Sequence, residues 1–233
     1  MAIEKARVTQ NVPVAYEEAL AAEALEMKKR VGAVGGDYIG VNRDKTFRLP
    51  GGEASPAVAG IVVGFVAVNQ FYKGKYDPKN LAGPVCASAG QTIADLRPFE
   101  KAPEKQNGDC HTCWANQWGS DGKGKACKNQ RQLALIAPDA QEDGPIMLLK
   151  VSPTGTKFWD AYALEVTAAA GALIKVVTMV TFDPKEDYPS LRFKLQGPNE
   201  NWQVAFSRRA AAMERLLAEP DFVPVVVADK PKA

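Results

Sequence analysis

Residues 110–136 read CHTCWANQWGSDGKGKACKNQRQLALI. The stretch opens on a Cys-x-x-Cys pair, Cys110 and Cys113, and passes through glycines, lysines and two tryptophans to Cys127. It ends on the apolar run Gln132 to Ile136, which reads as a strand. Upstream, residues 70–131 show little apolar periodicity and many Gly, Pro, Asn, Asp and Lys residues. A loop this long inside a compact domain needs an organiser of its own.

The cysteines supply one. Cys86 precedes Cys110 by 23 intervening residues, 13 separate Cys113 from Cys127, and the chain's four cysteines all fall within 42 residues. A Cys-x-x-Cys turn aims two thiolates at one point, and two bracketing cysteines complete a tetrahedral zinc site with sulfur about 2.3 Å from the metal. The expectation is one structural Zn2+ held by Cys86, Cys110, Cys113 and Cys127. Four protein ligands leave no open position for water, so the ion would fold the loop rather than catalyse. His111, the only histidine, ranks second as a ligand because it adjoins Cys110. Disulfides do not suit a chain without an export signal. A redox pair would start a helix after a strand, whereas Asn107, Gly108 and Asp109 precede this one. Iron–sulfur sites use tighter spacings.

Further out, Ala59 to Asn69 (AGIVVGFVAVN) is β-branched and apolar and reads as a buried strand. Lys45 to Leu49, Ile146 to Val151, Ile174 to Phe182 and Leu191 to Leu195 also read as strands. Helices are expected over 14–30, over about 155–170 capped by Ser152 or Thr154, and over 202–218 up to Pro220. In the middle helix, Phe158, Tyr162 and Leu164 to Val166 would form the apolar face. The fold class is therefore α+β or mainly β, a barrel with a zinc-binding insertion and flanking helices. Its parts are an N-terminal helical segment (1–40), a main domain (41–222) with the zinc subdomain at about 70–131, and a tail (223–233).

The net charge of +2 is distributed as −1 over residues 1–40, +5 over 41–131 and −2 over 132–233. The excess sits around the cysteines, as a polyanion binder requires, although a solvated face would also fit it. Two segments, NQFYKGKYDPKN (69–80) and WANQWGSDGKGKACKNQR (114–131), interleave rings and cations. Single-strand binders need both, with cations along the phosphates and rings on which bases stack. The expected contacts are Arg43, Lys45, Arg48, Tyr72, Lys73, Lys75, Tyr76, Trp118, Lys123, Lys125, Lys128 and Arg131. Trp114 follows a ligand and could equally pack over the metal, and Phe65 belongs to the core. One histidine leaves no Ser-His-Asp or Cys-His arrangement, and GSDGKGKACK is not a phosphate-binding loop.

The run 110–136, followed by PIMLLKVSPTGTKFWDAYALEV (145–166), resembles small phage and prophage proteins. The order of parts is similar to the single-stranded DNA-binding proteins of T-even phages, in architecture rather than in letters. That resemblance implies an oligonucleotide-binding (OB) barrel with a zinc insertion, single-stranded DNA as partner, and a role in phage DNA replication or recombination. Phage replication proteins are candidate further partners. The T-even zinc site includes a histidine where four cysteines are available here, and the C-terminal VVVADKPKA is not acidic. The expectation is a binding protein and not an enzyme. A DNA-processing subunit such as a nuclease or resolvase, or a transcription or host-takeover factor, is the alternative. The charged start MAIEKARVTQ and an apolar run of only about ten residues, Ala59 to Val68, lead to the expectation of a cytoplasmic protein, and the resemblance implies that the cytoplasm is that of a bacterial host.

Overall fold

The computed structural model describes residues 37–74, 83–220 and 222. The expected N-terminal helix, Lys75, Tyr76 and the tail from 223 lie outside them. Among the described residues the protein is mixed α+β, with one curled, half-barrel sheet of nine strands. The strands are β1 (Tyr38–Val41), β2 (Phe47–Arg48), β3 (Ala54–Ser55), β4 (Val58–Phe71), β5 (Cys86–Gly90), β6 (Cys127–Ile136), β7 (Met147–Val151), β8 (Val176–Phe182) and β9 (Leu191–Pro198). Eight of them run in the order β3-β2-β1-β7-β6-β4-β8-β9, and β5 pairs with β4 off this path. The helices are α1 (Thr156–Ala170), α2 (Trp202–Ser207) and α3 (Arg209–Leu217). No helix among the described residues is long and apolar enough to cross a membrane.

The strand β4 reads as continuously apolar because both of its faces are buried. It pairs antiparallel with β6 from Ile61 to Phe71, with β8 at Val58–Gly60 and with β5 at Ala67–Phe71. A bulge between Val62 and Gly64 strengthens the local curl. Gly60 is small by necessity, since a Cβ there would lie 3.0 Å from Leu135 Cδ2 and 3.2 Å from the Ile136 carbonyl.

Directly paired residues share a face. The concave face carries Phe65, Leu133 and Leu149, and α1 packs Trp159, Tyr162 and Val166 against it. The rings of Phe65 and Phe193 meet Trp159 edge-on, each at 5.2 Å. Phe47 of β2 stacks on Phe182 of β8 at 4.4 Å, which draws the two ends of the curled sheet together. On the convex face α2 and α3 cover Ile61, Val63, Val66 and Ile136 with Ala205, Ala212 and Leu216.

Several expectations need correction. The middle helix starts at Thr156 with Gly155 at its N-cap and no side-chain cap. The Ser152 and Thr154 hydroxyls bond to each other instead, and Thr156 Oγ1 donates to the Pro153 carbonyl. Its buried face is led by Trp159, and Leu164 is exposed. The helix expected over 202–218 is broken at Arg208, whose guanidinium donates to the Glu142 and Gly144 carbonyls. The turn-rich segment contains a strand, β5, whose small residues CASAG give no apolar alternation to read. β6 begins at Cys127, five residues before Gln132; its first half, CKNQR, is mostly polar and half-buried and so carries no apolar signal. β1 belongs to the sheet through parallel pairing with β7, although Tyr38 to Gly40 fall within the expected N-terminal segment.

Trp159 is fully buried, and its indole nitrogen has no hydrogen-bond partner among the described residues, so it acts through apolar contact alone. Trp159→Ala should destabilise the protein by about 3–5 kcal/mol in denaturant unfolding. A loss below about 1 kcal/mol would mean that the concave core does not rest on this ring.

Candidate functional site

The register places cysteines on two strands around one ring. Phe71, on β4, stands opposite Cys86 of β5 on one side and Cys127 of β6 on the other. Cys110 and Cys113 lie in the loop between those strands, just before a short 3-10 turn over Trp114–Asn116. All four cysteines are unpaired and border one cavity, about 20 Å3 as measured to the centre of a water-sized sphere. That is room for about one small occupant. The Phe71 ring closes part of its wall and meets Trp114 edge-on at 5.7 Å.

Among the described residues that line the cavity, the groups suited to a soft metal are four thiols, and no carboxylate or imidazole lines it. Such a soft set suits zinc, and its size suits one ion. Among the described residues no group of three or more His, Cys, Asp or Glu is placed so that it could hold a metal ion. Burial raises the thiol pKa values of Cys86 and Cys110. Cys127 is pushed up to about 12 by burial and by the three neighbouring thiols. His111 is exposed and faces away from this cavity, into a second one.

The second cavity is an open cleft of about 360 Å3 by the same measure, between the cysteine loop and the concave face of the sheet. The loop contributes His111, Gln117 and Lys125, the sheet contributes Asn129 and Arg131, and Ile93 forms an apolar wall. Trp118 adjoins Gln117 and is 79% exposed, the most exposed large apolar residue among those described. Trp114 is 53% exposed.

Only part of the expected contact set converges on the cleft. Lys125 and Arg131 line it, and Trp118 and Lys123 sit on the adjoining hairpin, where Asp121 bridges Gly124. Arg131 also makes a two-pronged ion pair with Asp160 of α1, at 3.0 and 2.9 Å, which holds its guanidinium in place. Lys125 donates to Asn116 Oδ1 at 3.2 Å. Lys128 is paired with Asp121 at 3.0 Å, and its register partner Gln70 lies on the convex face. Tyr72 donates to Gln70 Oε1, so its phenol is held and its pKa raised by burial while the ring is 37% exposed. Lys73 is tied to Glu104 at 2.9 Å. Arg43 and Lys45 occupy the β1–β2 turn and Arg48 lies on β2 across from Gly40, with β1 and β7 separating them from β6.

The residues that pattern reading missed are polar. Asn69, Asn116 and Asn129 stand between the thiol cavity and the cleft, and Gln117 fastens the loop by donating to the His111 and Cys113 carbonyls. A signal for them exists, since the dipeptide Asn-Gln occurs at 69–70, 116–117 and 129–130. Compared with protein-family models, with curated proteins and with solved structures, the chain matches none.

Proposed function

We propose that the protein binds single-stranded DNA without sequence preference, as an OB-type barrel whose cysteine loop is held by one structural zinc ion. Cys86, Cys110, Cys113 and Cys127 would be the ligands. The zinc would fasten the loop over β4, β5 and β6 and leave no open coordination position for chemistry. The protein would therefore bind and not catalyse. Its place in phage DNA replication or recombination is the one the sequence resemblance implies.

One observation carries this reading. An open cleft of about 360 Å3 separates the cysteine loop from the sheet, with cations on both walls and an exposed tryptophan at its side. Lys125 and Arg131 would meet phosphates, and the Trp118 ring would stack on a base. Contacts of this kind carry little base information, which accounts for the absence of sequence preference.

The metal is tested by elemental analysis. About one zinc per chain is expected, and Cys113→Ser should release it and raise hydrogen exchange across residues 86–127. Protein that is free of zinc, yet protected over that segment, would remove the ion from the account.

Binding is tested by fluorescence titration with single strands, duplex and RNA at two salt concentrations. Trp118→Ala should cost about 1–3 kcal/mol of single-strand affinity with zinc content unchanged. Replacing Lys123, Lys125 and Lys128 together by Ala should weaken all sequences alike and flatten the salt dependence, since fewer counterions are then released. Equal quenching by duplex would point to groove binding instead, and an unaffected lysine variant would reduce the basic hairpin to a solvated face.

A further inference from the structure

The concave rows of β4 and β6 run Phe65–Leu133, Ala67–Arg131, Asn69–Asn129 and Phe71–Cys127 toward the cysteines. Asn69 is only 4% exposed, in a strand whose one other polar side chain is Gln70. Burying a carboxamide is costly unless its hydrogen bonds are met. Here they are met in a ring. Asn129 Nδ2 donates to Asn69 Oδ1 at 2.6 Å and to Asn116 Oδ1 at 2.9 Å. Asn116 Nδ2 donates to the Cys110 carbonyl at 2.7 Å. Cys110 Sγ donates to Ser88 Oγ at 3.4 Å, and Ser88 is the register partner of Asn69 on β5. By way of that pairing the ring closes on Cys110, gripping it at sulfur and carbonyl.

The same ring reaches the cleft. Asn69 and Asn116 line both the thiol cavity and the cleft, so they are the partition between the two. Lys125, a cation of the cleft wall, joins the ring by donating to Asn116 Oδ1.

We propose that Asn129, at the centre of this ring, is a positioning residue that couples metal binding at the thiols to nucleic-acid binding in the cleft; the inference rests on the zinc and single-strand reading above. A metal held by Cys110 would fix that residue's backbone, and with it the carbonyl that accepts the Asn116 N–H. Asn116 is held against the sheet by Asn129, which also grips Asn69, so the constraint passes to the Lys125 ammonium on Asn116 Oδ1 and to Asn69 in the cleft wall. Outer hydrogen bonds of this kind orient metal ligands and tune their affinity. Coupling between two binding sites is reciprocal, so the strand should tighten the metal by the factor by which the metal tightens the strand.

The test measures that factor in the full chain, using Zn2+ and oligothymidylate, with Co2+ as a spectroscopic stand-in for zinc. In the parent protein, zinc should tighten oligothymidylate by about tenfold, and oligothymidylate should tighten zinc equally. Asn129→Leu should still take one metal and show the Co2+–thiolate absorption, but its coupling factor should fall to about one. Asn129→Ser keeps a polar group and room for water, and should reduce coupling in the same direction if the leucine variant does not fold. A parent that binds both ligands without coupling would overturn the inference and leave the functional reading standing. So would coupling undiminished in both variants, because it would then come from ordering of the loop as a whole. A parent that binds no metal, or no single strand, would overturn the functional reading and this inference with it.

Discussion

The sheet of the described residues is organised around β4. Its fourteen residues, Val58 to Phe71, are buried on both faces and serve three neighbours in turn: β8 at the start, β6 along most of the length and β5 at the end. The constraint is steric as well as apolar. Gly60 admits Leu135 and the β6 backbone, and Gly64 admits Met213 and Leu216 of α3. The bulge beside Gly64 lets one strand present Phe65 to the α1 core and Val63 to the α2–α3 core. At its far end the same strand sets the spacing of Cys86 and Cys127 through Phe71.

Apolar, β-branched runs are what make sequence reading work, and β4, β7 and β8 were legible for that reason. The cysteine loop was legible as a unit because its four thiols stand out in a stretch with no core of its own. Less visible were elements whose residues are small or polar. The β5 strand, CASAG, buries Ala87 and Ser88 with no alternation to betray it. The first half of β6, CKNQR, reads as loop because its own residues after Cys127 are polar or charged and only half-buried, although they pair with Gln70, Asn69, Val68 and Ala67.

The site was legible only in part, and the physical reason is that one residue type does two jobs. A lysine or arginine quoted from a sequence carries the same charge whether it faces solvent or an acid. Arg131 proves to be held by Asp160, Lys128 by Asp121 and Lys73 by Glu104. The two lysine pairs are exposed and worth little in stability, but like the half-buried Arg131 pair they decide where a cation points. Asparagines are harder still, since buried ones declare themselves only through their partners. Asn69, Asn116 and Asn129 lie 47 and 13 residues apart along the chain and meet only once β4 and β6 are zipped together.

The straddling of Phe71 by two cysteines sets an order of events in folding. Cys110 and Cys113 are close along the chain and can find each other in the unfolded state. Cys86 and Cys127 reach the same cavity only after β4 has paired with strands on both of its sides. Contacts that bridge long stretches of chain form late, because loop closure has to come first. The ion proposed for these thiols, if caught early by the local pair, would be held loosely until the sheet arrives with the other two. The last step of its loading would then be a readout of whether the three central strands have assembled.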